Sequence, residues 1–328
     1  MASPARAGGR APLDELLKRR VLFITGKGGS GKTTVSAALA LSAARRGRRV
    51  LAVEVDAKGD LSEALGHPPA GFQPEMVQTG LSVMGLHAEE AFHEYLRIFF
   101  KVPRLAQMTS LARVFDFVAT GVPGPRDMLM VGKIAYEERR RESGGRPVWD
   151  LIVVDCTSTG QILPQLTAAR SMKALVHGGM IRSQVDFVDA VVSDRRRTAL
   201  CITALPEEMP VAEALDLHDR VVEGTGIALG ACFLNRTLEA ALSPRQRGLL
   251  DRLSAPSNRE AVATVLGGGV GALVAGVELA DALSRQAQPF ARRLALGMSV
   301  PVLGIPLVAT RPGLATTRAV AAALEGAP

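Results

Sequence analysis

Aromatic residues are scarce in this sequence, where phenylalanine, tryptophan and tyrosine together make up only 4% of the 328 residues. The hydrophobic core must therefore be built from aliphatic side chains. Cysteine is also rare. The three cysteines, Cys156, Cys201 and Cys232, form no CxxC pair and have no other metal-ligand spacing. Scattered thiols in apolar runs are usually small buried side chains, and this pattern argues for a reducing compartment.

A membrane-spanning segment is also missing. The most apolar stretch, 261–280, contains Gly267–Gly269, carries Glu278 and is followed by Asp281. It falls short of the roughly 18 apolar residues that a spanning helix needs, and we expect a buried helix pair there instead. The first ten residues lack the apolar region of a secretory signal, which predicts a cytoplasmic protein. Peripheral association with a membrane stays open.

Positive charge is in slight excess, with 39 basic and 32 acidic residues and a formal net charge of +7. The surplus is mainly arginine in four short clusters, at 45–46, 48–49, 139–141 and 195–197. Such clusters can bind anions, nucleic acids or anionic membranes. Because no aromatic side chains interleave them to stack on bases, we expect a solvated surface and no nucleic-acid partner.

Apolar, β-branched runs of strand length recur along the chain, and most are continuously apolar rather than alternating. This pattern is typical of strands buried on both faces of a parallel sheet. Helical segments separate the runs, which predicts an α/β fold with a doubly wound, mostly parallel sheet over residues 21–328. A disordered or helical extension, 1–20, precedes it. The six predicted strands are Val21–Thr25, Val50–Val55, Leu151–Val154, Ala199–Thr203, Gly230–Leu234 and Val300–Ile305.

One long segment interrupts the alternation, because 95 residues, Asp56–Asp150, separate the second predicted strand from the third. Structureless loops of that length are uncommon in compact domains, and 88–100 and 102–120 have helical patterns. We therefore predict a mainly helical insertion over about residues 66–148. Seven of the ten methionines fall within Met76–Met180, which suits either the core of a helical subdomain or a flexible surface for apolar ligands.

The clearest functional motif is a glycine-rich loop, Gly26–Thr34, which reads GKGGSGKTT and contains G-x4-G-K-[ST] in full. It follows a predicted strand and opens a predicted helix, as this P-loop motif requires. Glycines allow backbone N–H groups to turn inward around an anion, and the helix directs its positive dipole end at the phosphates. The motif predicts that ATP and Mg²⁺ are bound by Gly28, Gly29, Ser30, Gly31, Lys32, Thr33 and Thr34.

Individual roles follow from the motif and from the strand ends. Lys32 should reach the β- and γ-phosphates, Thr33 should ligate Mg²⁺ and Thr34 should contact the α-phosphate. Asp155 ends an apolar run, where a Walker-B carboxylate holds Mg²⁺. Asp56 also ends a strand and is the candidate general base that orients the attacking water. Either aspartate could instead only cap a turn or a helix.

A second lysine inside the loop, Lys27, gives the sequence a resemblance to the deviant-Walker-A class of P-loop proteins, whose pattern is KGGxGK[ST]. In that class this lysine reaches the nucleotide of a partner subunit and neutralises charge in the phosphoryl-transfer transition state. The resemblance therefore implies a catalytic role for Lys27 and a nucleotide-sandwich dimer.

Two further segments make the chain similar to the arsenite-pump, or anion-transporting, ATPase family, which includes the targeting factor for tail-anchored membrane proteins. DAKGDLSEAL at Asp56–Leu65 resembles the family's switch I, DPAHxLSDAF, and DCTSTGQ at Asp155–Gln161 resembles its switch II, DxAPTGH. The resemblance covers nearly the whole chain and is closest to actinobacterial single-domain members. It implies that four more residues lie at or near the nucleotide: Asn235, Pro306, Leu307 and Glu207.

Both switches depart from the family pattern. Switch I has Ala57, Lys58 and Gly59 in place of Pro, Ala and His, and switch II ends in Gln161 instead of His. The CxxC that clamps some family dimers is absent, and the three cysteines do not match the arsenite site of the pump ATPases. Slow hydrolysis, or a less active subunit paired with a paralogue, is therefore one expectation.

The leading hypothesis is a Mg²⁺-dependent ATPase that works as a homodimer, or as a heterodimer with a paralogous ATPase. It would couple its nucleotide state to the handling of a membrane-protein or hydrophobic client through the insertion. A low-turnover regulatory nucleotide-binding subunit and a partition-type, DNA-associated ATPase are alternatives. A nitrogenase-reductase-like carrier would need cysteines that bridge an iron–sulfur cluster across the dimer, and the cysteines of this chain are not suitably placed.

Overall fold

The computed structural model describes residues 10–99, 123–238 and 242–326, apart from 256, 259, 260, 262, 263, 266 and 268. The first nine residues of the predicted extension and the helical pattern at 102–120 lie outside this part of the chain. The rest of the extension contains a helix, α1 (Arg10–Leu17), whose leucines Leu13, Leu16 and Leu17 are buried against the core.

An eight-stranded sheet forms the centre of the described structure. Its strands are β1 (Val21–Gly26), β2 (Val50–Val55), β3 (Glu75–Gln78), β4 (Leu81–Leu86), β5 (Leu151–Asp155), β6 (Thr198–Ala204), β7 (Leu229–Thr237) and β8 (Val302–Pro306). Their order across the sheet is β3-β4-β2-β5-β1-β6-β7-β8. Neighbours are parallel except β3 and β4, which pair antiparallel.

Helices cover both faces of the sheet, so successive residues of a strand enter different cores. In β1, Val21 and Phe23 belong to one hydrophobic core, and Leu22 and Ile24 belong to the other. After α1, the described helices are α2 (Lys32–Arg45), α3 (Asp60–Ala64), α4 (Ala88–Phe99), α5 (Pro123–Arg139), α6 (Thr159–Lys173), α7 (Gly179–Ser193), α8 (Glu208–Gly224), α9 (Pro244–Ser254), α10 (Val270–Gly297) and α11 (Leu314–Leu324).

The predicted doubly wound α/β architecture is confirmed, and a strand forms at each of the six predicted positions. The last strand begins at Val302 rather than Val300. Pro301 lies between these two positions and has no N–H group to donate to a neighbouring strand. The carboxyl ends of β1, β2 and β5 lie together, because Asp155 is in register with both Ile24 and Glu54.

The inserted segment contains two strands as well as helices, and the prediction of a mainly helical insertion did not identify these strands at 75–86. These residues form the hairpin of β3 and β4, and β4 extends the main sheet by pairing with β2. Gly80, with a φ of 80°, makes the turn, and all six residues of β4 are buried. The segment Leu81–Leu86 is short and mostly apolar. Periodicity alone does not distinguish a buried strand from a buried helix in a segment of this kind.

The expectation of a buried helix pair at 261–280 was also wrong. From Val270 onward the chain forms one 28-residue helix, α10, on the surface. Leu273, Leu279 and Leu283 of this helix are 67%, 61% and 45% exposed, whereas Val274 is buried. Among the residues that the structure describes, no helix is long and apolar enough to span a bilayer.

Candidate nucleotide-binding site

The predicted phosphate loop joins the end of β1 to the start of α2. A Cβ atom on Gly26 would lie 2.2 Å from the carbonyl oxygen of Thr203, so a side chain does not fit there. Gly31 has a φ of 90°, and a Cβ atom on it would lie 2.2 Å from the side-chain amide nitrogen of Asn235. Both ends of the loop therefore need glycine, as expected for a backbone that folds around an anion.

Helix α2 begins at Lys32, directly after this loop, and its first turn contains no acidic residue. The unpaired N–H groups and the positive dipole end of such a helix attract phosphate. The helix body from Val35 to Ala44 is buried. Its packing against the sheet therefore fixes where this end of the helix lies.

A hydrogen-bond network links α2 to Asp155 at the end of β5. The Thr33 hydroxyl donates to Asp155 Oδ2 at 2.6 Å, and the Ser36 hydroxyl donates to Asp155 Oδ1 at 3.2 Å. Burial raises the pKa of Asp155 to about 6, although both hydroxyls and the positive charge of Lys32 act in the opposite direction. A carboxylate and a hydroxyl are oxygen ligands of the kind that Mg²⁺ prefers, so these residues fit the predicted metal.

Glu54 in β2 is a buried carboxylate without a predicted role, and it is the register partner of Asp155. Its two oxygens accept hydrogen bonds from the backbone N–H groups of four consecutive residues, 58–61, at 3.0 to 3.4 Å. These residues belong to the predicted switch I and include the start of α3. Glu54 therefore fixes the backbone of switch I beside the phosphate loop.

Asp56, the candidate general base, directly follows β2 and has a φ of 52°. Aspartate is one of the few residues other than glycine that tolerates this left-handed conformation. Its Oδ1 accepts a hydrogen bond from Arg126 Nη2 at 2.6 Å. Asp56 thus lies at the expected edge of the sheet, and one of its two oxygens is engaged by an arginine from α5.

Lys27 contacts a carboxylate that the sequence analysis did not identify. Its Nζ lies 2.5 Å from Glu213 Oε1 in α8, and the hydroxyl of Thr159 donates to Glu213 Oε2 at 3.2 Å. A cavity of about 430 Å³ lies beside this cluster, lined by the phosphate loop, the start of α6 and residues of α8 that include Arg220. The side chain of Lys27 therefore points toward α8.

Asn235, which the resemblance places at the adenine base, supports the phosphate loop in this conformation. Its Nδ2 donates to the carbonyl oxygen of Ser30 at 2.9 Å, and its Oδ1 accepts from the backbone N–H of Arg236 at 2.9 Å. The side chain is buried. Its contact with a base stays a prediction.

The other three residues that the resemblance implies lie at strand and helix ends. Pro306 ends β8, and the backbone N–H of Leu307 donates to the carbonyl oxygen of Thr237 at 2.8 Å. Leu307 is 56% exposed. Glu207 is exposed at the N-cap position of α8. Their contacts with the nucleotide stay predictions as well.

Comparison with known proteins agrees with this geometry. Residues 19–186, about half of the chain, match the family described as Anion-transporting ATPase. The chain is also 32% identical to ATPase BagA of Mycobacterium tuberculosis over 268 residues, which are 80% of this chain and 76% of that protein.

The chain belongs to the anion-transporting ATPase family.

Two further relatives match shorter parts of this ATPase. An uncharacterized protein of Streptomyces coelicolor is 32% identical over 155 residues, which are 47% of this chain and 38% of that protein. ATPase ARSA1 of Chlamydomonas reinhardtii is 40% identical over 81 residues, which are 24% of this chain and 10% of that protein. The predicted family is confirmed, and the relatives from Mycobacterium and Streptomyces agree with the predicted resemblance to actinobacterial members.

Family membership confirms that the chain is an ATPase, as the P-loop predicted. The matched range contains Lys27, Lys32, Asp56 and Asp155. Glu207, Asn235, Pro306 and Leu307 lie beyond it, in keeping with the weaker basis on which they were predicted.

Glu213 and Arg126 are two of the residues at this site that sequence reasoning missed. They lie 186 and 70 positions away from Lys27 and Asp56, their partners. Neither falls in a motif, and charged residues at single positions in amphipathic helices usually face solvent. Glu54 did carry a signal, because it is the one charge inside the predicted strands, and a lone charge in a buried strand needs partners.

Proposed function

We propose that this ATPase binds ATP with Mg²⁺ on Gly26–Thr34 and hydrolyses it as a nucleotide-sandwich dimer. The main support for this proposal is the hydrogen bond of 2.6 Å between Thr33 and Asp155. It joins a hydroxyl and a carboxylate at the start of a helix whose free N–H groups suit phosphate. Bound Mg²⁺ would neutralise charge on the β- and γ-phosphates between these two side chains.

The chain's own residues supply the other parts of phosphoryl transfer. Lys32 would bind the β- and γ-phosphates, and Thr34 would bind the α-phosphate. Asp56 would accept a hydrogen bond from the attacking water and orient it toward the γ-phosphorus. In this structure Oδ1 of Asp56 accepts a hydrogen bond from Arg126.

Lys27 would act on the nucleotide of the partner subunit. It is 35% exposed and pairs with Glu213 outside its own loop, so it would reach a phosphate of another subunit by leaving this carboxylate. A cation supplied in this way stabilises negative charge that develops in the transition state. The partner would be a second copy of this chain or a paralogous ATPase.

We further propose that the inserted part of the chain handles a membrane-protein or hydrophobic client. In its described helices, Ile98 and Tyr136 are each 37% exposed. The methionines divide between two roles, because Met84 and Met130 are buried in the core whereas Met76 is 74% exposed. The client surface would therefore depend on mixed apolar side chains rather than on methionine alone.

A low-turnover regulatory subunit is the second candidate, and two contacts favour it. Glu54 holds four backbone N–H groups of switch I, and Arg126 engages Asp56. Both would restrain the residues that need to rearrange around a γ-phosphate. Slow hydrolysis follows from the same contacts.

A DNA-associated role gains no support from the arginine clusters, because several of these side chains are bound within the chain. Arg49 forms ion pairs with Asp150 at 3.1 Å and with Glu142 at 2.7 Å. Arg197 pairs with Asp194 at 3.1 Å. Arginines that already have carboxylate partners contribute little to a phosphate-binding patch.

The experiment combines phosphate release from Mg²⁺-ATP with the native mass of the protein. Wild type should release phosphate and double its mass in the ATP state, whereas Lys32→Ala should do neither. A mass equal to one copy plus a different ATPase, after purification from the source cells, would identify the heterodimer. A single-copy mass in every nucleotide state would contradict the dimer.

A further inference from the structure

Arg126 links the inserted part of the chain to Asp56. It lies in the first turn of α5, and its Nη2 donates to Asp56 Oδ1 at 2.6 Å. Asp56 follows β2 at the phosphate site, whereas α5 belongs to the segment between β4 and β5. The contact therefore connects the proposed client-handling part directly to the candidate general base.

The backbone leaves the Asp56 carboxylate few positions. The Asp56 N–H donates to the carbonyl oxygen of Leu86 at 3.0 Å, and the φ of 52° sets the direction in which the side chain leaves the strand. With the backbone fixed, only the side-chain torsions and the partner of the carboxylate decide where its oxygens point.

A second carboxylate, that of Asp127, lies next to this pair. Burial raises the pKa of Asp127, Arg126 lowers it, and the negative charge of Asp56 raises it further. The guanidinium of Arg126 therefore compensates two neighbouring negative charges. Displacing it would change the field at Asp56 as well as its orientation.

Helix α5 is anchored well enough to transmit a displacement. Met130 and Val131 are buried in the core, and the buried ammonium of Lys133 contacts Glu94 of α4 at 2.8 Å. Separating a buried ion pair is costly, so α4 and α5 are expected to move together.

We propose that Arg126 is a positioning residue that holds Asp56 away from the attacking water, and that movement of the insertion releases it. This inference rests on the proposed function, because it assumes that Asp56 orients the water. Arg126 and Asp56 are 41% and 39% exposed, and exposed ion pairs are weak enough to break and re-form readily. The ion pair between Arg126 and Asp56 therefore slows hydrolysis without blocking it.

Substitution of Arg126 tests the proposal. Arg126→Ala should raise kcat about two- to fivefold, in keeping with the strength of an exposed ion pair, and leave KM for ATP within about twofold. Arg126→Lys should stay near the wild-type rate, because it keeps a cation beside the carboxylate. Arg197→Ala is the matched control, since it removes an arginine from another surface ion pair and should change nothing.

Three outcomes would overturn the proposal. A kcat for Arg126→Ala equal to the wild-type value would show that Arg126 does not restrain hydrolysis. A lower kcat would show that hydrolysis requires Arg126. A rise in kcat that persists in the double variant Arg126→Ala, Asp56→Asn would mean that the effect bypasses Asp56. Melting temperatures within about 2 °C of wild type would exclude unfolding as the cause of a lost rate.

Failure of the proposed function gives a different result. If wild-type phosphate release is unaffected by Lys32→Ala, the assignment of the phosphate loop is at fault, whatever Arg126→Ala does. If Lys32→Ala abolishes release while Arg126→Ala matches wild type, only the restraint on Asp56 is refuted.

Discussion

Lys27 and Glu213 form an ion pair in the lining of a cavity, with Nζ 2.5 Å from Oε1. Thr159, from the start of α6, donates to the other oxygen of the same carboxylate at 3.2 Å. The pair joins the phosphate loop to α8 and to the segment that resembles switch II. For Lys27 to reach a nucleotide in a partner subunit, it would have to exchange Glu213 for a phosphate.

Neutralising Glu213 should therefore favour the dimer. With Mg²⁺-ATP, Glu213→Gln should lower the dimer dissociation constant about two- to fivefold, because a partly exposed ion pair contributes up to about 1 kcal/mol. Sedimentation equilibrium would measure this. Asp216→Asn, one turn along α8, is the control and should match wild type. A weaker dimer for Glu213→Gln would indicate that Glu213 supports Lys27 rather than restrains it.

Burial of Asp155 predicts a pH dependence of stability in the protein without nucleotide or metal. The folded pKa of about 6 lies above the ordinary value of 3.8, so the folded chain holds this proton more tightly than the unfolded chain. The free energy of unfolding should fall by about 3 kcal/mol from this group as the pH rises from about 4 to about 6.

The variant Asp155→Asn isolates this effect, because it has no proton to lose at that position. Urea unfolding in the presence of a chelator, at several pH values between 4 and 7, would measure the difference between the two proteins. The variant should gain stability relative to wild type as the pH rises. Parallel profiles for the two proteins would show that Asp155 does not titrate in this window.

Loss of the Glu54 carboxylate should destabilise the fold. Glu54→Ala would leave the N–H groups of residues 58–61, of which Leu61 is buried, without their acceptor, and the free energy of unfolding should fall by about 2 kcal/mol. Glu63→Ala removes an exposed carboxylate from the same short helix, α3, and should cost under about 0.5 kcal/mol. Equal losses in the two variants, measured by chemical denaturation, would argue that the Glu54 hydrogen bonds contribute little.

The parts of this protein that local sequence determines were predictable. A glycine-rich loop between an apolar strand and a helix has a fixed geometry, so Gly26–Thr34 and the strand ends at Asp56 and Asp155 could be located in advance. The contacts of Lys27 with Glu213 and of Asp56 with Arg126 could not, because they depend on how distant helices pack. The hairpin β3–β4 was missed because a short apolar run fits strand and helix equally well.

The exposed face of α10 shows that hydropathy alone does not predict which residues are buried. The apolar composition of 261–280 predicted burial, yet Leu273 and Leu279 lie on the surface. Apolar atoms make up more than half of the accessible surface of ordinary folded proteins, so composition alone does not decide which face of a helix is covered.

The central claim is that the loop Gly26–Thr34 binds Mg²⁺-ATP for hydrolysis, and steady-state phosphate release by wild type and Lys32→Ala tests it most directly. Lys18→Ala, which changes an exposed lysine in an ion pair with Glu15, serves as the control. Wild type and Lys18→Ala should release phosphate at the same rate, and Lys32→Ala should be at least about 100-fold slower, since it removes the charge proposed to bind the β- and γ-phosphates. Equal rates for wild type and Lys32→Ala would contradict the account.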